Sequence, residues 1–375
     1  MLGLILPLFL ILLCGYVIWR AGDSFIEGSN YIGRNLQDGV KGATINAVAS
    51  SMPELFISMF FLFYLKNLSG FEGSIGTSFG SVLFNSLIIP SVAVLGVLSN
   101  SNKSQVKISK KIIIRDGLWL VFIELLFLYF IQQGEIGWKE SLILILIYGL
   151  YIFYLFKTMK GGHKIDYKTP FSEKEKLSLL SAFMILDLKR LLVGNKQLNA
   201  KKAWLIFVIS SLIIGFVCYF LVVACEWLGS ETYTVPILGT LNGLGVHVLF
   251  IALIFAAIGS SFPDSVISYK DAQRGNYDDA FSNAYGSNIF NLCIALGLPL
   301  FIYTLSNGSI VLTEDLISLI SSIAIWFLGL SVVSILVYIY GEGVNKNRSY
   351  LLILLYFLFV FYVFYSASQD RKSVV

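Results

Sequence analysis

Apolar residues run along this chain in blocks of about twenty, with polar and charged residues gathered between them. A helix needs that many to cross a bilayer, because each residue adds only about 1.5 Å. The blocks predict spanning helices near 3–30, 42–65, 74–98, 112–132, 140–156, 204–228, 246–269, 280–304, 316–340 and 350–368. The apolar–polar alternation of a lipid-facing β-barrel is absent. The expected fold class is therefore an all-α integral membrane protein with ten transmembrane helices. The first block has no Lys or Arg ahead of it and runs on into "GYVIWRAGDSFIEGS", which predicts a true span rather than a cleaved leader. A polar stretch, 157–203, separates five spans in 1–156 from five in 204–375.

Two blocks break the apolar pattern in the same way. "INAVASSMPELFIS" (45–58) and "AAIGSSFPDSVIS" (256–268) each place a proline and then an acid inside a would-be span. The proline removes a helix hydrogen bond, and an unpaired carboxylate mid-bilayer costs about 2.5–3.5 kcal/mol on insertion scales. Of the seven prolines, only Pro53 and Pro263 are followed directly by an acid. Downstream, "FGSVLFN" (79–85) matches "YGSNIFN" (285–291). The first pair of motifs is offset by 210 positions and the second by 206, so the chain is an internal repeat. Five spans per copy is an odd number, which makes the two copies cross the membrane in opposite directions. Such inverted repeats build mid-membrane sites from interrupted helices.

The repeat collects oxygen ligands. Each half supplies a carboxylate (Glu54, Asp264), two preceding hydroxyls (Ser50 and Ser51; Ser260 and Ser261) and a Ser/Asn pair on one helix face (Ser81 and Asn85; Ser287 and Asn291). The prolines are expected to free nearby carbonyls, those of Ala47 and Ala257. No thiolate or imidazole belongs to the set, which suits hard cations and excludes soft metals. Two carboxylates balance one Ca²⁺ or two monovalent ions, the minimum for antiport.

Composition agrees: 57% of residues are hydrophobic and 13% charged, with mean hydropathy +0.78, against about 25% charged in soluble domains. Nothing suggests nucleic acid as a partner; the partners expected are transported cations and the lipid bilayer. The four cysteines lie scattered in apolar segments and read as buried hydrophobes. If the N-terminus is outside, 23 of the 27 Lys and Arg fall in inside segments, so both termini are expected outside and the 157–203 loop in the cytoplasm. Within that loop Leu177, Leu180, Met184, Leu188 and Leu191 have helical spacing beside Lys189 and Arg190. They suit either an amphipathic helix on the inner leaflet or a helix packed on the bundle.

These motifs make the chain resemble the cation/calcium exchanger superfamily, the sodium/calcium exchangers in particular. That family's two repeats carry G-[ST]-S-x-P-[ED] followed by G-S-x-x-x-[ND], and the resemblance covers essentially all ten spans, "GDSFIEGS" (22–29) included. It implies two inverted five-helix halves, exchange of Na⁺ for Ca²⁺ by alternating access across the cell membrane, no cofactor, and ligands at Ser50, Ser51, Glu54, Ser81, Asn85, Ser260, Ser261, Asp264, Ser287 and Asn291. Ala49 stands where the second repeat has Gly259, and "GSVLFN" lacks the usual small residues. Potassium-dependent relatives carry Asp at the position of Asn291, so K⁺ co-transport is not expected. Some similar sequences exchange protons for Ca²⁺, which is the alternative.

Other polar residues have plainer readings. Asp23 and Glu27 suit solvated or capping roles, Glu72 and Asp278 helix N-termini, and His247 the membrane interface. Glu124 and Glu226 lie within apolar segments as candidate accessory groups. "GTSFG" (76–80) matches a nucleophile elbow, with His247 as a formal base for Ser78, which would make an intramembrane serine hydrolase. The elbow needs a strand-to-helix turn, and this stretch opens a membrane helix.

Overall fold

The computed structural model describes residues 2–32, 47–101, 103–158, 179–194, 198–236 and 238–373. Its first half holds α1 (Leu2–Ile32), α2 (Ala47–Ser50), α3 (Met52–Phe60), α4 (Asn67–Leu83), α5 (Ile89–Ser99), α6 (Lys110–Gln132), the short strand β1 (Glu135–Ile136) and α7 (Trp138–Thr158). Two short helices follow, α8 (Leu179–Met184) and α9 (Leu188–Val193). The second half holds α10 (Ala200–Gly229), a hairpin of β2 (Thr232–Val235) and β3 (Gly239–Asn242), α11 (Val248–Ile251), α12 (Ala257–Ser260), α13 (Phe262–Gln273), α14 (Tyr277–Phe290), α15 (Gly297–Asn307), β4 (Ile310–Val311), α16 (Glu314–Ile339) and α17 (Lys346–Ser373).

Seven helical stretches among the described residues are long and apolar enough to cross a membrane, and an eighth if the pair Val248–Ser260 and Phe262–Gln273, bent by 44°, is one span. Two other expected spans differ for physical reasons. Met52–Leu65 is short because the chain breaks just before it, and α6 carries Arg115, Asp116 and Glu124 within its length. Side chains on the outer faces are apolar and open, Leu12, Phe153, Phe216 and Phe361 among them. A lipid-facing surface needs that distribution.

The interior divides into two apolar clusters. One joins α4–α7 and α14–α17 around Phe79, Phe127, Phe281 and Phe327. The other joins α1 and α10 around Ile18, Phe25, Cys218 and Leu221, and reaches Ile57 and Ile251. The clusters meet where α4 crosses the π-helical turn Ala252–Ala256. A Cβ on Gly80 would lie 2.0 Å from the Leu253 carbonyl oxygen, and one on Gly76 would lie 2.5 Å from that of Leu249. Only hydrogen fits there, so this pair, one turn apart, sets the closeness of the two halves.

Short strands tie the ends together. β1 pairs antiparallel with β4, and Val106 bridges Val344. The helices α6 and α16 are thereby joined at both ends. In the 157–203 segment, 159–178 and 195–197, and so Leu177, lie outside the described residues. The described part forms two helices, broken at Asp187, which caps α9 by accepting from the Arg190 N–H. They pack on the bundle: Leu188 is buried, the Lys189 N–H donates to Ser24 Oγ, and Lys189 pairs with Glu27 at 2.9 Å.

Candidate functional site

Both proline–acid motifs fold alike. α2 ends at Ser50, Ser51 leaves helical geometry (φ −96°, ψ 11°), and α3 restarts at Met52 with Pro53 in its first turn. In the second copy α12 ends at Ser260, Ser261 takes φ −82° and ψ 4°, and α13 restarts at Phe262 with Pro263 in its first turn. Proline is at home there, because a first-turn N–H has no intrahelical partner. Glu54 and Asp264 therefore stand in the first turns of fresh helices, where the macrodipole favours negative charge. The Ser/Asn faces come from α4 and α14, and each asparagine opens or enters a π-helical turn, Phe84–Ile88 and Asn291–Ala295. Such turns occur often at functional sites.

The four segments converge. Glu54, Asp264, Ser50, Ser51, Ser81, Asn85, Ser260, Ser261, Ser287 and Asn291 are all fully buried. Glu54 Oε1 accepts from Ser81 Oγ of its own half (3.4 Å) and Ser261 Oγ of the other (3.2 Å). Asp264 accepts from Ser287 Oγ of its own half (2.6 Å) and Asn85 Nδ2 of the other (3.2 Å). Two hydroxyl pairs also cross between the halves, Ser50 with Ser287 at 3.4 Å and Ser81 with Ser260 at 3.3 Å. None of the described Lys, Arg or His residues pairs with either acid.

The pattern is symmetric but incomplete. By the repeat, the Asn85–Asp264 bond predicts one from Asn291 to Glu54, and the Ser261–Glu54 bond predicts one from Ser51 to Asp264. Neither is made. Ser51 Oγ, both polar atoms of Asn291, Glu54 Oε2 and Asn85 Oδ1 are instead buried without a partner. Buried polar groups are rarely left so, and these five sit on the same four segments that carry the two carboxylates. Among the described residues no three His, Cys, Asp or Glu cluster; the polar groups gathered here are two acids, hydroxyls and amides.

The carbonyls of Ala47 and Ala257 are not free, contrary to the expectation. Ala47 O accepts from the Ser51 N–H at 3.1 Å and Ser50 Oγ at 3.3 Å; Ala257 O accepts from the Ser261 N–H and Ser260 Oγ, both at 3.1 Å. A proline deprives the carbonyl four residues before it, which falls on Ala49 and Gly259. Sequence reasoning also missed the Glu72–His247 pair, Nδ1 to Oε2 3.0 Å, because Glu72 lies beyond the first turn of α4 and is buried. Ser78 lies mid-helix and donates to the Ser74 carbonyl, so the elbow and its base are absent.

A bundle of long apolar helices around a buried, acid-centred oxygen cage defines a multi-pass membrane protein that handles cations. The sodium/calcium exchanger protein family matches residues 6–157 and 202–365, and this chain belongs to that family. It is 25% identical over 335 residues to sodium/potassium/calcium exchanger 5 of Homo sapiens, across 73% of this chain and 65% of that protein. The identity with sodium/potassium/calcium exchanger 3 of Rattus norvegicus is 22%, across 83% and 74%. Among solved structures, the H⁺/Ca²⁺ exchanger CAX superposes with TM-score 0.61 at 13% identity over 99% of this chain and 89% of that one. The sodium–calcium exchanger NCX_Mj gives 0.53 at 17% over 95% and 98%. The relatives are exchangers, and the chain is a transporter rather than an enzyme.

Proposed function

We propose that this protein exchanges Na⁺ for Ca²⁺ by alternating access, with the cation held between Glu54 and Asp264. The observation that carries this reading is the set of partnerless buried atoms, Ser51 Oγ, Glu54 Oε2, Asn85 Oδ1 and the Asn291 amide, around two acids with no base. Ca²⁺ takes 6–8 oxygens, and the two carboxylates with Ser50, Ser51, Ser81, Asn85, Ser260, Ser261, Ser287 and Asn291 offer more than that number. Ala47 and Ala257 orient the Ser50 and Ser260 hydroxyls. An empty site buries two uncompensated charges, at a cost of several kcal/mol per ion, so it resists occlusion. Occupancy by Ca²⁺ or by Na⁺ ions removes that penalty, and exchange is favoured over leak.

In this reading the chain is ten helices in two inverted halves, with 1–156 and 204–375 as repeats, both termini outside and residence in the cell membrane. The first two spans of one half rock against the remaining bundle. Asn291 is neutral, so K⁺ is not carried. The test is ⁴⁵Ca²⁺ uptake into Na⁺-loaded proteoliposomes. Uptake that follows the Na⁺ gradient is expected; uptake that ignores it and follows a pH gradient would reassign the protein as an H⁺/Ca²⁺ exchanger.

A further inference from the structure

A third acid is buried in the bundle away from the ion cradle. Glu124 lies on α6 about 12 Å from its C-terminal end, and only 4% of it is exposed. Leu120 and Phe127, one turn to either side, are closed off completely or nearly so. Glu124 Oε1 accepts a 2.7 Å hydrogen bond from Ser331 Oγ on α16, and Oε2 has no partner.

The surroundings decide what Glu124 binds. Elements packed on α6 bring the titratable groups Tyr277, Asp278, Asp279 and Tyr285 (α14), Glu314, Asp315 and Tyr338 (α16), Lys139, Glu140, Tyr148, Tyr151, Tyr154 and Lys157 (α7), Cys293 (the π-helical turn after α14) and Glu135 in β1. The two cations among them sit at opposite ends of α7, Lys139 over the Trp138 ring at 5.9 Å and Lys157 in the last turn, and Lys110 and Lys111 open α6 more than three turns before Glu124. On α6 itself Arg115 is committed to Asp116, at 2.7 and 2.8 Å. No basic side chain among the described residues pairs with Glu124. The neighbouring hydroxyls are spent: Ser334 Oγ donates to the Ser331 carbonyl (2.8 Å) and meets Tyr285 OH (3.2 Å). One carboxylate and one hydroxyl are too few oxygens for a metal cation, which in proteins needs about six. A proton needs one.

We propose that Glu124 is a resident proton site: its carboxyl carries a proton on Oε2 at neutral pH, and that proton neutralises the contact between α6 and α16. The site is built next to the machinery without being part of it. Phe127 meets Phe79 edge-on at 5.6 Å, and Phe79 stacks on Phe327 at 4.6 Å, one turn from Ser331. Phe79 stands two residues before Ser81, and Tyr285 two before Ser287. A charge at Glu124 would draw water into the joint that holds both Ser/Asn faces in register.

Infrared difference spectroscopy of the Ca²⁺-saturated full-length protein tests this. Wild type minus E124Q is expected to show the carbonyl stretch of a protonated carboxylic acid at neutral pH. Bands of an ionised carboxylate alone would overturn the proposal. E124Q is also expected to retain Na⁺-driven exchange within about twofold, since the amide copies the protonated acid; a loss beyond tenfold in correctly folded protein would count against it. S331A keeps Glu124 but removes its donor, so the carboxylic band should move to higher frequency, and an unmoved band would also refute the site. The flux reading rests on the proposed Na⁺ coupling, whereas the two infrared readings hold whichever ion drives exchange.

Discussion

At the scale of residues, the proposed exchange gives the central acids opposing effects in the loaded and empty states. Calcium binding should raise the melting temperature of the wild type, by about 2.7 kcal/mol of stabilisation at one hundred times Kd. Glu54→Gln removes half the charge that balances Ca²⁺, so exchange should fall by about a hundredfold or more, because ligand charge tunes affinity over orders of magnitude. The same variant should melt higher than wild type in ion-free buffer, since one of two facing charges is gone. Thermal unfolding with and without Ca²⁺ measures both effects. Asn291→Asp adds a third carboxylate beside the unpartnered atoms; ⁴⁵Ca²⁺ exchange should be indifferent to K⁺ in the wild type and K⁺-responsive in the variant. Glu54 and Asp264 were legible because a proline–acid step recurs at one offset. The Glu72–His247 contact was not, since residues 175 apart in sequence meet only through tertiary packing.

At the scale of elements, periodicity located the apolar blocks but not their interruptions. The expected span at 74–98 begins at Asn67 in the structure, because "NLSGFEG" reads as loop and yet folds as helix against the turn Phe61–Leu65. The break in each proline motif falls on Ser51 and Ser261, two residues before the proline. A proline rule alone marks the neighbourhood and misplaces the freed carbonyl. The π-helical turns at Asn85 and Asn291 carry no sequence signal of their own, since "LFN" and "IFN" suit an ordinary helix equally. The glycines of α4 are more informative. Gly80→Ala forces a methyl onto the Leu253 carbonyl and should destabilise by about 1–3 kcal/mol, the usual cost of overpacking. It should also slow exchange, and unfolding and ⁴⁵Ca²⁺ flux measured on one preparation would separate the two losses.

At the scale of the whole molecule, the charge bias gives a topology that labelling can check. All four native cysteines are buried, so a single introduced cysteine reports its own side. Lys107→Cys should react with a membrane-impermeant maleimide only after the membrane is opened, and Lys139→Cys should react in intact cells. The reverse pattern would invert the assignment of inside and outside. The two antiparallel clips, β1 with β4 and Val106 with Val344, bear on assembly as well as shape. They join partners from opposite halves at both tips of the α6–α16 pair, independently of the covalent link between Thr158 and Leu179. Fragments 1–158 and 179–375, expressed together as separate polypeptides, should consequently find one another and reconstitute flux, with the tip clips standing in for the missing peptide link.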